Sequence, residues 1–153
     1  MTNETITTHD FGDGPVLGHR HPNGGGWVAE TAAVAGTVFV GPGAEVYDYA
    51  EVRGDAEIDG NARIYGNALV DGCSWVSGNA RVGDNARVSG SAWVCARSWI
   101  HGTARVDGYT YVGGDAEIDG SAQVFHCVEI DGAIWICASA PVAGDACDSG
   151  DGS

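Results

Sequence analysis

The sequence predicts an all-β protein folded as a parallel β-solenoid, and three regular features of the chain indicate this class. Every sixth residue from Val28 to Val142 is Val or Ile, at twenty positions without exception. The residue two places earlier is Ala at thirteen of the twenty positions, and the residue two places later is Gly in most repeats. A strict short repeat of β-branched residues is typical of a solenoid, in which each repeat packs on its neighbours.

Each repeat predicts one short strand followed by one corner. Because residues two apart share a face of a strand, Ala62 and Ile64 point to one side while Arg63 points outward. Gly66 then supplies the backbone conformation that a tight corner needs. Glycine at this frequency would weaken a helix, and strands this short are stable only when they stack on one another. We therefore expect the strands to stack in successive coils.

Repeats such as Ala62-Arg63-Ile64-Tyr65-Gly66-Asn67 and Ala86-Arg87-Val88-Ser89-Gly90-Ser91 resemble the hexapeptide repeats of left-handed β-helix proteins. The resemblance covers residues 26–142 and implies a single-stranded left-handed parallel β-helix. Three repeats would form a triangular coil of about 18 residues, giving nearly seven coils. The left hand rests on the resemblance alone, since ordinary crossover preference favours the right hand. The chain also resembles small phage and bacterial β-helix proteins that are labelled hexapeptide acyltransferases without a defined substrate.

We expect three segments along the chain. Residues 1–25 lack the repeat and form an N-terminal cap, with Phe11, Pro15, Val16 and Leu17 supplying apolar surface to cover the first coil. Residues 26–142 form the β-helix. Residues 143–153 have the composition of a flexible acidic tail.

Composition excludes several classes of partner. The chain has 153 residues, a net charge of −14, seven arginines and no lysine, which argues against nucleic acid and against anionic membranes. Without a signal peptide or a transmembrane segment, the protein is expected to be cytoplasmic or virion-associated. The five cysteines form no Cys-x-x-Cys pair, and their odd number fits no closed disulfide framework, so we expect most to be free.

Residues 18 apart should stack, which sorts the outward side chains onto three faces. The charged face carries Glu51, Leu69, Arg87, Arg105 and Gln123, flanked by Arg53, Asp71, Ser89 and Asp107. The aromatic face carries Phe39, Glu57, Trp75, Trp93, Tyr111 and Glu129. The mixed face carries Trp27, Glu45, Arg63, Arg81, Trp99, Glu117 and Trp135, with Tyr47, Tyr65 and His101 beside them. We expect Arg53 to pair with Asp71, Glu45 with Arg63, and Arg81 to lie against Trp99.

The aromatic face and the last coil are the candidate interfaces. Trp75, Trp93 and Tyr111 lie on consecutive coils and predict a ladder of rings that leaves an apolar stripe facing outward. The stripe is interpreted as intramolecular stacking, as a subunit interface or as a carbohydrate-binding strip. In the last coil Val128 and Ile134 replace Ala and Trp135 follows, which predicts a wider apolar end suited to end-to-end contact.

The resemblance to hexapeptide acyltransferases implies a trimer that binds coenzyme A between subunits, with a His as general base. Such enzymes usually extrude a loop from the coils, whereas the repeat here never breaks register. His101 and His126 are the weak catalytic candidates and would need a neighbouring chain. Two unstacked histidines do not match the three-His metal site of γ-class carbonic anhydrases. We predict no catalytic residue, and coenzyme A as a cofactor only under this alternative.

A metal site in the cap is the remaining chemical candidate. His19 and His21 would lie on one side of a strand, and with His9 or Asp13 they could bind a divalent ion. A fixed structural cap explains the same residues, so no metal is predicted.

The leading hypothesis is therefore a non-catalytic structural or assembly β-solenoid, or a binding scaffold. It would form a homo-oligomer or polymer, with no nucleic-acid or membrane partner. Association would be lateral through Phe39, Trp75, Trp93 and Tyr111, or end to end through Ile134 and Trp135. The alternative is an acyltransferase-like trimer.

Overall fold

The computed structural model describes residues 7–125, 128–138 and 141–143. Within these ranges the chain forms 22 β-strands and no helix. In this part of the chain, then, no helix is long and apolar enough to cross a membrane.

The strands form three sheets. The sheet of the mixed face contains β1 (Thr7–Asp10), β2 (Pro15–Arg20), β3 (Trp27–Ala29), β6 (Glu45–Val46), β9 (Arg63–Ile64), β12 (Arg81–Val82), β15 (Trp99–Ile100), β18 (Glu117–Gly120) and β21 (Trp135–Ala138). The sheet of the charged face contains β4 (Ala33–Val34), β7 (Glu51–Val52), β10 (Leu69–Val70), β13 (Arg87–Val88), β16 (Arg105–Val106), β19 (Gln123–Phe125) and β22 (Pro141–Ala143). The sheet of the aromatic face contains β5 (Phe39–Val40), β8 (Glu57–Ile58), β11 (Trp75–Val76), β14 (Trp93–Val94), β17 (Tyr111–Val112) and β20 (Glu129–Ile130).

The predicted all-β solenoid is confirmed by the pairing of these strands. Each strand from β3 to β19 pairs in parallel with the strand three places further along the chain, as β10 does with β13, and β10 pairs in the same way with β7 before it. Leu69 lies opposite Glu51 and Arg87, so one coil takes 18 residues. Strands β3 to β20 make six coils, and β21 and β22 begin a seventh.

The core is a column of stacked Val, Ile and Ala side chains. Every Val or Ile of the repeat from Val40 to Val124 has no exposed surface, and Ile130 is 4% exposed. Ser74 and Ser98 replace Ala in this column and remain buried. Each donates its hydroxyl hydrogen to the carbonyl three residues earlier at 2.7 Å, which satisfies the buried polar atom.

The corners explain the glycine of the repeat. Gly60 has φ +63°, and a Cβ placed there would lie 2.9 Å from the backbone nitrogen of Gly78 in the next coil. Asp48 and Asp84 occupy the same corner position with φ 57° and 55°. Their Oδ2 atoms accept the backbone N–H of Gly66 and Gly102 one coil later, at 3.0 and 3.1 Å. This hydrogen bond offsets the strain of a left-handed conformation in a residue that has a Cβ.

The N-terminal segment contacts the first coil in two places. β1 and β2 form an antiparallel hairpin, and β2 pairs with β3, so the sheet of the mixed face continues beyond the solenoid. The segment after β2 runs over β5, where Val40 donates its N–H to the carbonyl of Asn23 at 3.0 Å. Phe11 is buried as expected, whereas Pro15 is exposed and Val16 and Leu17 are 46% and 53% exposed, so these three residues do not cover the coil. They stay outside because β2 adds to the edge of the sheet and not to the end of the core.

The described cysteines are free, as expected from their spacing: Cys73, Cys95 and Cys137. Cys127 and Cys147 lie outside the described residues, as does the predicted acidic tail except at its first residue.

Candidate functional site

The aromatic face carries a ladder of three rings. Trp75 and Trp93 stack with their ring centroids 5.0 Å apart and their planes at 5°. Tyr111 meets Trp93 edge to face, with centroids 5.2 Å apart. Parallel strands about 4.8 Å apart bring equivalent side chains to this distance without bending the backbone. Trp75 and Trp93 nevertheless remain 40% exposed each, because a ring in a stack covers only its neighbour's faces.

Phe39 lies apart from the ladder. Glu57 separates it from Trp75 in the register of the sheet. The Phe39 ring instead lies over Gly24 and Gly41, where an added Cβ would come within 3.0 and 3.3 Å of it. Of the four predicted stripe residues, the structure therefore brings together Trp75, Trp93 and Tyr111.

Tyr111 ends the ladder and contacts a cysteine. Cys95 Sγ and the Tyr111 hydroxyl oxygen lie within hydrogen-bond distance, at 3.4 Å. This hydrogen bond, followed by the charge that Cys95 carries when ionised, raises the pKa of Tyr111 to about 12. The phenol is therefore held in its neutral form well above physiological pH.

The mixed face is held by contacts between coils, two of which were predicted. Arg63 Nε lies 3.2 Å from Glu45 Oε1, and the Arg81 guanidinium lies 4.4 Å above the Trp99 ring. The pair predicted on the charged face, Arg53 with Asp71, is also present at 3.6 Å.

A third contact on the mixed face spans two coils. Trp99 Nε1 donates a hydrogen bond to Tyr65 Oη at 2.8 Å. The Tyr65 ring reaches across the intervening coil because Gly83 leaves room for it, and a Cβ on Gly83 would lie 2.2 Å from Tyr65 Cζ. The sequence carried a signal for this contact, since Gly83 stands where the neighbouring coils have Tyr65 and His101.

His101 lies in a cluster of carboxylates on the same face. Its Nε2 is 2.7 Å from Glu117 Oε2, and its Nδ1 is 3.2 Å from Asp119 Oδ1 and 3.6 Å from Asp84 Oδ2. The ring stacks on Trp99 at 3.8 Å, and the His101 side chain is 12% exposed. The His101 ring thus lies among the carboxylates of Glu117, Asp119 and Asp84.

The surroundings of His101 can be compared with two chemical roles, metal ligand and general base. One donor atom each from His101, Glu117 and Asp119 lies within 4.8 Å of the others, so these three residues could hold a metal ion. As a general base, His101 is poorly placed, because both ring nitrogens already face carboxylates. His126, the second catalytic candidate, lies outside the described residues.

The histidines of the cap point to separate partners. His21 follows the end of β2 and is buried, with Nε2 2.8 Å from the carbonyl oxygen of Val38. His19 Nδ1 lies 2.5 Å from Glu30 Oε1. His9 stacks on Trp27 at 4.4 Å and contacts Glu45. The described cap thus gives each histidine its own contact and does not gather His19 and His21 into one site.

The last coil exposes the two residues proposed for end-to-end contact. Ile134 is 45% exposed and Trp135 is 67% exposed. Trp135 lies opposite Glu117 in the sheet register.

Comparison with known proteins supports the fold. A family model described as YdcK Beta solenoid repeat matches residues 62–78 and 74–96. No curated protein and no solved structure matches the chain. The matched residues lie in the central coils and include Trp75 and Trp93 of the ring ladder. In these coils the chain carries a β-solenoid repeat similar to that family's.

Proposed function

We propose that this protein is a non-catalytic β-solenoid scaffold that self-associates laterally through the ring ladder of Trp75, Trp93 and Tyr111. The observation that carries the proposal is the exposure of the stacked tryptophans, 40% each, on a flat face of the solenoid. Large rigid rings that remain exposed side by side are typical of the centre of a protein interface.

The charge of the chain makes association with a second copy dependent on salt. The outward strand residues on either side of the ladder are Glu57 and Glu129, which would form a polar rim around an apolar centre. Because each copy carries a net charge of −14, two copies repel one another at low ionic strength. Apolar burial must overcome this repulsion, so association should strengthen as salt is added.

The exposed area sets the expected affinity. An exposure of 40% on a side chain of roughly 250 Å² leaves about 100 Å² per tryptophan, or about 2.5 kcal/mol when buried. The four tryptophans of a dimer then contribute about 10 kcal/mol, against a cost of at least about 4 kcal/mol for association. We therefore expect dimers to need a protein concentration of at least about 10 to 100 μM.

Sedimentation velocity at low and high salt tests the proposal. The double variant Trp75→Ser, Trp93→Ser should sediment as a monomer at concentrations where the parent protein associates. Trp135→Ser is the matched control, since it removes a more exposed tryptophan from another face. A parent protein that stays monomeric at high concentration and high salt refutes self-association, and dissociation by Trp135→Ser alone would move the interface to the last coil.

The acyltransferase-like trimer has less support. The repeat stays in register throughout the described coils, with no loop extruded between strands of the solenoid. His101 is enclosed by carboxylates of its own chain. We therefore place catalysis below assembly as the function of this chain.

A further inference from the structure

A groove of about 370 Å³ lies between the N-terminal hairpin and one corner of the first two coils. The hairpin contributes five residues to its lining, and the two coils contribute five more: Phe11, Asp13, Gly14, Val16 and Leu17 from the hairpin, and Glu30, Thr31, Tyr47, Asp48 and Tyr49 from the coils. Thr31 donates its hydroxyl hydrogen to the carbonyl of Asp48, which ties the two corners together. The volume lies within the range of about 300 to 1,000 Å³ that small-molecule sites occupy. The groove is remote from the ring ladder, which lies on another sheet.

The floor of the groove is apolar and fixed in place. Phe11 is 5% exposed and stacks on Tyr47 with ring centroids 5.0 Å apart. Tyr47 stacks in turn on Tyr65 at 5.6 Å. Burial raises the pKa of the Tyr47 hydroxyl, as expected for a group partly removed from water. Leu17 and Tyr49, at 53% and 70% exposure, add apolar surface at the rim of the groove.

The charged residues that line the groove are all acidic: Asp13, Glu30 and Asp48. Asp48 is held in position, because its Oδ2 accepts the backbone N–H of Gly66 at 3.0 Å. The turn that carries Asp13 is also fixed, since Asp10 Oδ1 accepts the N–H groups of Gly12 and Gly14 at 2.8 and 3.0 Å. Glu30 contacts His19, whose Nδ1 lies 2.5 Å from Glu30 Oε1. The groove is therefore lined by the fixed carboxylate of Asp48 and by Asp13 on a fixed turn, beside an aromatic floor.

We propose that this groove binds a small organic cation, an ammonium group joined to an apolar or aromatic body. The ammonium group is recognised by Asp13 and Asp48 and by the face of Tyr49, while the apolar body packs on Phe11 and Leu17. Aromatic faces attract cations through their quadrupole, and carboxylates attract them by charge. A neutral or anionic molecule of the same shape gains neither interaction.

The test compares two small molecules of the same shape and opposite charge, 2-phenylethylammonium and 3-phenylpropionate. Ligand-observed NMR on the full chain should detect 2-phenylethylammonium with a Kd on the order of 1 mM or tighter, and no binding of 3-phenylpropionate. Asp13→Asn and Asp48→Asn should each raise that Kd by about threefold to tenfold. Asn at position 48 still tolerates the corner conformation and still offers an oxygen to Gly66, so the fold is retained.

Asp55→Asn is the matched control, because Asp55 is an exposed acidic residue outside the groove. This variant should leave the Kd unchanged, and Leu17→Ser should weaken binding without any change in charge. Equal binding of the anion, or a Kd that none of the groove variants alters, would overturn the proposal. So would a failure of the parent protein to bind 2-phenylethylammonium. Thermal unfolding of each variant separates a lost contact from a lost fold.

Discussion

Replacing Gly83 with Ala should destabilise the solenoid although the substitution is small and usually favourable. A Cβ at this position would lie 2.2 Å from Tyr65 Cζ, whereas carbon atoms in contact are about 3.5 to 4 Å apart. Gly83 does not adopt a left-handed conformation, so backbone strain plays no part. The Tyr65 ring must therefore move by more than about 1 Å.

The cost follows from what Tyr65 loses when it moves. Its hydrogen bond from Trp99, 2.8 Å long, contributes about 1 kcal/mol, and its stacking on Tyr47 contributes about the same. We expect Gly83→Ala to lower the free energy of unfolding by about 2 kcal/mol. For a chain of this length that corresponds to a fall in Tm of roughly 4 to 8 °C.

Gly36→Ala is the control for the glycine itself. An added Cβ at Gly36 has nothing within 4 Å, so this variant should be neutral or more stable by up to about 1 kcal/mol. In a Tyr65→Ala background the cost of Gly83→Ala should disappear, because the obstructing ring is gone. Chemical denaturation of the parent protein and the four variants measures these values. A Gly83→Ala variant as stable as Gly36→Ala, or a cost unchanged by Tyr65→Ala, would show that the ring does not occupy this space.

Three further predictions concern the core, the ladder and the carboxylate cluster. Val88→Ala, at a fully buried position, should lower the free energy of unfolding by about 2 kcal/mol in chemical denaturation. Val34→Ala, in the partly exposed first coil, should lower it clearly less, and equal losses for the two variants would contradict the packing of the core. Tyr111 should ionise near pH 12 in ultraviolet titration, and Cys95→Ala should lower that pKa toward about 10. Because the folded-state pKa is the higher one, this contribution to stability is full below about pH 10 and is lost as the pH rises to about 12. His101→Ala should destabilise the protein by about 1 kcal/mol, because the carboxylates around His101 then repel one another, and 1 M salt should recover part of the loss. A loss of stability that salt does not change would contradict this reason.

The contacts that could be predicted from sequence are those between equivalent positions of adjacent coils. In-register stacking brings residue i beside residue i+18, which is how Glu45 meets Arg63 and Trp75 meets Trp93. The strict repeat fixes which side chains point inward and which point outward. The resemblance to hexapeptide-repeat proteins supplied the coil of three repeats, and the membership of each face follows from that coil size.

The remaining contacts depend on side-chain reach or on the cap. Tyr65 reaches Trp99 two coils away. The sequence shows a glycine at position 83, but it does not show that the Tyr65 ring turns toward that glycine. His101 meets Asp84 and Asp119 through side chains at different positions of their repeats. The cap has no repeat to set its register, so the separate partners of its histidines could not be predicted.

The interchangeable repeats of the core have a consequence for insertions and deletions. Because the Val or Ile of every repeat enters the same column, removing six residues leaves the column continuous but moves every later outward side chain to the next face. A deletion of six residues between Trp75 and Trp93 would thus divide the ring ladder between two faces of a solenoid that is still fully packed. A deletion of 18 residues would shorten the molecule by one coil and leave the order of the faces unchanged. Insertions and deletions that preserve the order of the faces therefore comprise three repeats, whereas those that preserve only the core can comprise a single repeat.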